Sequence, residues 1–196
     1  MMRSPSSVSS RGFSLVEVMV AVVVICVGLL GIAKMQALAL SNTTIARQRS
    51  LAAMQAASLA SAMHSNREYW AGAAPPATFT SAQGGNAIPV VASSDANLAT
   101  GVTAALPAWP TDPTLCMNFT CSNEQLAAFD VAWWLVSLNN LLPNPSSSIS
   151  CQPVAPVACI IQISWTENVV NNNSGQTNAP NAQQFQTPTY TLYVEP

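Results

Sequence analysis

Charged side chains are scarce in this sequence of 196 residues, of which 7% are Asp, Glu, Lys or Arg. A soluble domain usually carries about 25%. Residues 71–196 contain six acids but no Lys or Arg, because all six cations lie within the first 67 residues. A region without cations does not neutralise phosphates, so nucleic-acid binding by residues 71–196 is excluded. The apolar composition also excludes disorder of the highly charged kind.

Residues that commonly perform catalysis are scarce as well. His64 is the single histidine, Lys34 is the last lysine, and no nucleophile-elbow, zinc-protease or phosphate-loop motif occurs. The cysteines outside the apolar run are spaced C-x4-C and C-x7-C, which is irregular for a zinc site. We therefore predict a protein that is not an enzyme and that has no cofactor, catalytic residue or metal site.

An apolar run near the N-terminus is long enough to cross a membrane. Residues 18–33 have no polar side chain other than Cys26. With the preceding residues from Phe13, the run makes a helix of ~31 Å, enough for a hydrocarbon core of ~30 Å. Arg3 and Arg11 precede it, which places the N-terminus in the cytoplasm.

Three interpretations of this segment compete. The basic start and Ala37-Leu38-Ala39 fit a secretory signal peptide, although the apolar run is long for one. A plain single-span anchor fits the length but leaves Glu17 unexplained. A carboxylate at the edge of the hydrocarbon costs up to ~3 kcal/mol, so it indicates a function unless it simply reaches the interface.

The residues around Glu17 favour a third interpretation. The run from Arg11 to Glu17 reads RGFSLVE and resembles the processing site of type IV pilins and pseudopilins. This resemblance implies that a prepilin peptidase cuts between Gly12 and Phe13 and that Phe13 becomes N-methylated. Glu17 would then neutralise the terminal ammonium of a neighbouring subunit and set the register of assembly, since lone charges are unfavourable among bundled apolar helices.

Further residues resemble the PilV type of minor pilin. They are the GLLGIA stretch at 28–33, Gln36, Ala46-Arg47 and a looser match at 63–67. The membrane run lacks the Pro of many major pilins and has Lys34 near that position, which favours a minor subunit. The resemblance implies other minor and major pilins as partners through the N-terminal helix, together with the prepilin peptidase, the inner-membrane assembly platform and a tip adhesin.

The resemblance and the sequence pattern together give a domain organisation. Residues 1–12 are a cleaved leader, and residues 13–70 form a long helix with a transmembrane part (13–34) and an amphipathic part (35–70). Ile45, Ala52, Leu59 and Met63 lie on one stripe of that helix, although a break near Ser41-Asn42 remains an alternative. Residues 71–196 form an outer domain.

The outer domain shows a second helix and several strands. Residues 71–115 predict loops with one or two edge strands. A capping box at Ser122 and Gln125 begins a helix that ends before Pro143. The apolar residues of this helix at three- and four-residue steps form its predicted core stripe, which consists of Leu126, Phe129, Trp133 and Val136. This stripe places Trp133 inward and Trp134 outward. A sugar-stacking role for the two tryptophans is the less favoured alternative.

In the last third of the chain, apolar and polar residues alternate as they do in half-buried strands. Two sets share a strand face each: Ile161, Ile163 and Trp165, and then Tyr190, Leu192 and Val194. The Asn- and Gln-rich segment 168–184 between them predicts an exposed loop, either solvated filler or an adhesive contact.

The cysteines divide into one membrane residue and four outer ones. Cys26 needs no partner within the membrane span. The four cysteines outside the span are an even number, which suggests disulfides in an oxidising compartment. Three pairings are possible. We favour Cys116–Cys121, before the helix, and Cys151–Cys159, across a hairpin.

The predicted fold is α+β and pilin-like, with a long N-terminal helix packed on a C-terminal antiparallel sheet and one additional helix. The predicted function is a minor pilin that contributes to pilus assembly, anchored in the bacterial inner membrane before it joins the pilus at the cell surface. A minor pseudopilin of a type II secretion system and a membrane-anchored periplasmic binding module are the alternatives.

Overall fold

The computed structural model describes residues 14–72, 75–84, 89–108, 116, 120–168 and 185–196, with the side chains of 107 and 108 excepted. The chain divides into two units, Met1–Asn42 and Thr43–Pro196. The helices are α1 (Leu15–Ser65), α2 (Arg67–Trp70), α3 (Ala96–Ala108) and α4 (Asn123–Leu141). The strands are β1 (Phe79–Gln83), β2 (Pro89–Ser93), β3 (Ser146–Gln152), β4 (Ala158–Ser164), β5 (Glu167–Asn168), β6 (Phe185–Gln186) and β7 (Thr189–Val194).

Helix α1 forms because its sequence is rich in Ala and long apolar residues and contains no Pro. The helix continues through Ser41 and Asn42, so the alternative of two helices with a break at these residues is wrong. Within the second unit one side of the helix is buried, and Ile45 at its start is half-buried. The buried residues are Ala52, Ala56, Leu59, Ala60 and Met63. The predicted core stripe of this helix is therefore confirmed.

Helix α3 corrects the prediction of loops and edge strands alone in residues 71–115. It begins after Asp95, whose Oδ1 accepts hydrogen bonds from the backbone N–H of Asn97 (3.0 Å) and of Leu98 (3.3 Å). An aspartate in this position satisfies amides that the first helical turn leaves open. Gly101 and Pro107 obscured the helix in the sequence, since both residues disfavour helix interiors.

Helix α4 begins at the predicted capping box. Ser122 Oγ accepts from the Gln125 N–H (3.2 Å), and Gln125 Oε1 accepts from the Ser122 N–H (3.0 Å). The predicted stripe lies at the margin of the core: Leu126, Phe129 and Val136 are half-buried, and Val136 packs against the core. The prediction is wrong for the two tryptophans. Trp134 is 2% exposed and Trp133 is 51% exposed. The residues that face the core are Ala127, Ala128, Val131, Ala132, Trp134, Leu135 and Leu138.

Close packing of α3 on α4 explains why the core side of α4 is rich in Ala. A Cβ placed on Gly101 of α3 would lie 2.8 Å from the Cβ of Ala128 on α4. Helices that approach this closely need small side chains at the contact. Ala127 and Ala128 supply them on α4, while Trp133 is exposed.

The main sheet has five antiparallel strands in the order β2-β1-β3-β4-β7. Ile161, Ile163 and Trp165 are buried, and Tyr190, Leu192 and Val194 lie on the same side of the sheet, half-buried or buried. Both predicted strand faces are confirmed. The apolar side chains on this side of the sheet pack with buried residues of α1, α3 and α4 in one hydrophobic core.

Strands β5 and β6 form a separate two-stranded sheet, in which Glu167 pairs with Gln186 and Asn168 with Phe185. The predicted loop 168–184 lies outside the described residues except for Asn168. The architecture is thus the predicted α+β arrangement, a long N-terminal helix with a C-terminal antiparallel sheet, and has more helices than the one additional helix expected.

Candidate functional site

The predicted processing site precedes α1 in the sequence. Gly12 and Phe13 are outside the described residues. The carbonyl oxygen of Ser14 accepts hydrogen bonds from the N–H of Glu17 (3.0 Å) and of Val18 (3.3 Å). Glu17 therefore lies in the first helical turn and is exposed. A carboxylate is favourable there because the open amides of the first turn carry partial positive charge.

The described part of the first unit presents an extended apolar surface. In α1 from Leu15 to Leu40, every Val, Ile, Leu and Met is exposed apart from Leu38, which is half-exposed. By length and composition, α1 is the one helix among the described residues that could cross a membrane. Such a surface requires lipid or other apolar helices around it.

Small residues interrupt this apolar surface. A Cβ added to Gly28 or Gly31 would meet no other atom within 4 Å. Cys26 is exposed and outside any disulfide. Packing against the part of the chain that the structure describes therefore requires neither glycine.

In the second unit, a buried carboxylate joins α1 to β5. Glu167 is 0% exposed. Its two oxygens accept from Arg49, with Nε to Oε1 at 3.1 Å and Nη2 to Oε2 at 3.0 Å. Trp165 Nε1 also donates to Oε1 (3.2 Å). The hydrogen bond and charge of Glu167 raise the pKa of Arg49, whose side chain is otherwise largely exposed.

Two more polar contacts hold the segment that follows α1. Asn66, which is buried, donates from Nδ2 to the carbonyl oxygen of Asn123 at the start of α4 (2.6 Å). Tyr69 donates from its hydroxyl to Asp95 Oδ2 (2.6 Å). Burial raises the pKa of Tyr69, and its bond to Asp95 raises it further. Asp95 therefore caps α3 and ties that helix to α2.

The four outer cysteines form two disulfides in the structure, Cys116–Cys121 and Cys151–Cys159. These are the pairings favoured from the sequence. The second bridge joins residues that face each other across the β3–β4 ladder. The first lies just ahead of the α4 capping box. Both bridges constrain segments that adjoin strands or helices of the core.

No group of three His, Cys, Asp or Glu side chains placed to hold a metal ion occurs in the part of the chain that the structure describes. His64 is exposed at the end of α1. Four polar residues are buried among the described residues: Asn66 and Glu167, with the contacts given above, and Ser81 and Ser147, whose hydroxyls hydrogen-bond to each other across β1 and β3 (2.7 Å). Every buried polar side-chain atom in this part of the chain has a hydrogen-bond partner.

The contact between Arg49 and Glu167 was not foreseen from the sequence. The two residues are 118 positions apart, and no motif links them. The hint was chemical: Glu167 is a lone acid shortly after an apolar strand, a buried acid needs a cation, and all cations lie in the N-terminal third of the sequence. Asp95 was the missed signal for α3, since it precedes an Ala-rich segment.

Comparison with known proteins identifies the N-terminal segment. Residues 8–33 match the family model described as the prokaryotic N-terminal methylation motif. The match includes Gly12, Phe13 and Glu17 and ends inside α1. No curated protein and no solved structure shows significant similarity to this chain.

The matched motif covers a short N-terminal part of the chain and supports a resemblance to the pilin and pseudopilin superfamily. Together with the exposed apolar part of α1, it fits anchoring in the bacterial inner membrane before assembly. It also indicates processing by a prepilin peptidase and assembly with other pilins.

Proposed function

We propose that this protein is a minor pilin of a type IV pilus, of the PilV type, which contributes to pilus assembly and initiation and thereby to adhesion and twitching motility. In this proposal residues 1–12 are removed, Phe13 becomes the N-methylated first residue, and Glu17 becomes the fifth. The helix after Phe13 remains attached and anchors the subunit in the membrane.

The methylation motif at residues 8–33 is the observation that carries this proposal. Cleavage after Gly12 would create a terminal ammonium beside an apolar helix, and that charge needs a partner in a low-dielectric setting. Glu17 is exposed in the first turn of α1 and has no cation within 4.0 Å among the described residues. It is therefore suited to neutralise the ammonium of a neighbouring subunit.

The second unit would then be the part that contacts other minor pilins and a tip adhesin. Residues 71–196 contain no Lys or Arg. Cations at such contacts must therefore come from the partner or from α1 and α2, where Arg47 and Arg67 are exposed. This distribution of cations suits a subunit that is packed against other subunits better than a protein that acts alone.

A minor pseudopilin of a type II secretion system is the second candidate, because the matched motif ends at residue 33 and is shared by both classes. The choice depends on the cellular process. Deletion of the gene should abolish surface pili if the first proposal is right, and should abolish release of exoproteins if the second is right.

Mass spectrometry of the mature chain tests the proposal most directly. We expect the N-terminal peptide to begin at Phe13 and to carry the mass of one added methyl group. A Gly12→Val variant should keep residues 1–12, because prepilin cleavage follows the glycine. An intact Met1 in the wild-type chain would contradict the proposal and favour a membrane-anchored binding module.

A further inference from the structure

Asp130 on α4 differs from the other described acids of the second unit. It is half-buried, and no hydrogen bond or ion pair reaches its carboxylate from the described residues. Glu167 belongs to the ion pair described above, Asp95 caps α3, and Glu124 lies in the first turn of α4, where a carboxylate is favourable. The fully exposed acids are Glu68 and Glu195. Asp130 is therefore desolvated without compensation.

Asp130 lies at the interface of α1 and α4. Gln55 of α1 donates to Ser137 Oγ (3.1 Å), and Asn66, directly after α1, donates to the carbonyl oxygen of Asn123 (2.6 Å). These contacts make the two helices antiparallel. Asp130 is two helical turns before Ser137 and shares its side of α4. It is thus beside the part of α1 between Gln55 and Asn66.

The second unit has no cation of its own to offer Asp130. Residues 68–196 contain no Lys or Arg, and this holds for the segments outside the described residues as well. Residues 50–63 of α1, which include the part beside Asp130, carry no charged side chain. The arginines of the second unit form no ion pair with Asp130; they are Arg47, Arg49 and Arg67. A cation at this carboxylate must therefore come from another molecule.

We propose that Asp130 is the contact point for a Lys or Arg side chain of a different, basic subunit, which docks beside the interface of α1 and α4. Ser58 and Ser61 on this part of α1 are exposed and small, which leaves room for such a side chain. A cation that hydrogen-bonds to a half-buried carboxylate offsets the cost of its burial. The inference rests on the proposed function and gives the chemistry of one of its subunit contacts.

The charge of the second unit favours a different subunit over a second copy of this chain. Residues 43–196 contain seven acids and three arginines, which gives a net charge of −4 with His64 neutral. In a second copy, one of those arginines, Arg49, is already paired with Glu167. Two such units side by side repel each other, whereas a basic subunit is attracted.

Incorporation into sheared filaments tests this contact. We expect Asp130→Asn to be depleted from filaments by about tenfold relative to the wild type, because the cation of the partner loses its counter-charge. Asp130→Lys should be depleted further, because it places like charges together. Asp130→Glu should be incorporated nearly as well as the wild type. Glu195→Gln is the matched control, since it removes an exposed acid of the same unit, and it should be incorporated normally.

Thermal unfolding separates assembly from folding. Asp130→Asn removes a half-buried charge, so at pH 8 it should melt no lower than the wild type. A purely structural role of Asp130 predicts that stability and incorporation change in the same direction. A variant that is at least as stable and yet is depleted from filaments has lost a contact with another molecule.

Photo-crosslinking in cells identifies the partner. A photoreactive amino acid at Ser58 should capture a peptide of another pilin that contains Lys or Arg, and the same amino acid at Thr191, on the far side of the sheet, should not. The decisive step is a charge exchange. Replacing the captured Lys or Arg by Asp should restore the incorporation of Asp130→Lys by about tenfold.

The outcomes separate this contact from the proposed function. Absence of the wild-type chain from filaments would contradict the assignment as a pilin and the contact with it. Wild-type chain in filaments, with Asp130→Asn at the same level, would overturn the contact alone. Capture of a second copy at Ser58, or a charge exchange that restores nothing, would refute the basic partner.

Discussion

Arg49 and Glu167 form a bidentate ion pair between α1 and β5, although 118 positions separate them in the chain. The carboxylate is fully buried, while the guanidinium remains largely exposed. Burial of a carboxylate is costly unless it is paired and hydrogen-bonded. Arg49 and the indole of Trp165 meet both needs, so β5 has a fixed position on α1.

Loss of Arg49 should therefore destabilise the second unit. We expect Arg49→Met to lower the melting temperature of the full chain in detergent by several degrees, because Glu167 would remain buried with only the Trp165 indole as a donor. Arg47→Met is the matched control, since it also removes a cation of α1 that is exposed. If both variants melt alike, the pair does not contribute to stability.

Asp130 should make stability depend on pH. Burial raises its pKa from the ordinary value near 3.8 to about 6. Because burial disfavours the charged carboxylate, the folded state binds this proton more tightly than the unfolded state does. The resulting penalty is fully present above about pH 6 and disappears as the pH falls towards 3.8.

Asp130→Asn should accordingly stabilise the protein at pH 8 by at most about 1 kcal/mol, a figure reduced because the side chain is half-exposed. The same variant should melt like the wild type near pH 4. Thermal unfolding at the two pH values measures the difference. A gain of equal size at both would show that packing, and not the charge, is responsible.

The contrast between α1 and α4 shows what the sequence could and could not predict. The capping box, the stripe of α1 and the strand faces follow from local patterns with a single solution. Helix α4 has apolar residues on two sides, and the pattern favoured the bulkier one through Trp133. The structure buries the side that carries Ala128 and Trp134, and Gly101 of α3 approaches Ala128 there. A contact between separate segments leaves no local pattern in the sequence.

Helix α3 and the ion pair of Arg49 were missed for related reasons. Local propensity at Gly101 and Pro107 argues against a helix, and tertiary packing on α4 and β2 overrides it. The pairing of Arg49 with Glu167 depends on where β5 lies after the whole sheet has formed. The processing motif at Gly12, Phe13 and Glu17 was readable because its chemistry depends on neighbours in sequence.

The two tryptophans of α4 offer a test of the corrected helix face. Trp134 is buried, and its Nε1 donates to the carbonyl oxygen of Gln55 on α1 (2.9 Å). Trp134→Ala should cost about 3 kcal/mol or more, because it leaves a cavity in the core. Trp133→Ala should cost within about 1 kcal/mol, as is usual for exposed positions. Denaturant titration measures the free energy of unfolding of both variants. A larger loss for Trp133→Ala than for Trp134→Ala would support the sequence-based prediction instead.

The final prediction concerns Glu17 and the assembly of subunits. Glu17→Ala should enter the membrane at least as well as the wild type, since it removes a charge from the edge of the apolar segment. It should nevertheless be depleted from sheared filaments by about tenfold or more, because the ammonium of a neighbouring subunit would lack its counter-charge, at a cost of a few kcal/mol.

Glu68→Ala is the matched control for this loss, because it removes an exposed acid of α2 outside the apolar run. Immunoblots of filament and membrane fractions from cells that express each variant would report the distribution. Glu17→Gln adds a further distinction, since it keeps the size and polarity of the side chain but not the charge. Depletion of both Glu17 variants, with normal incorporation of the Glu68 variant, would show that the negative charge itself is required. Filaments that contain Glu17→Gln at the wild-type level would instead assign the role to hydrogen bonding.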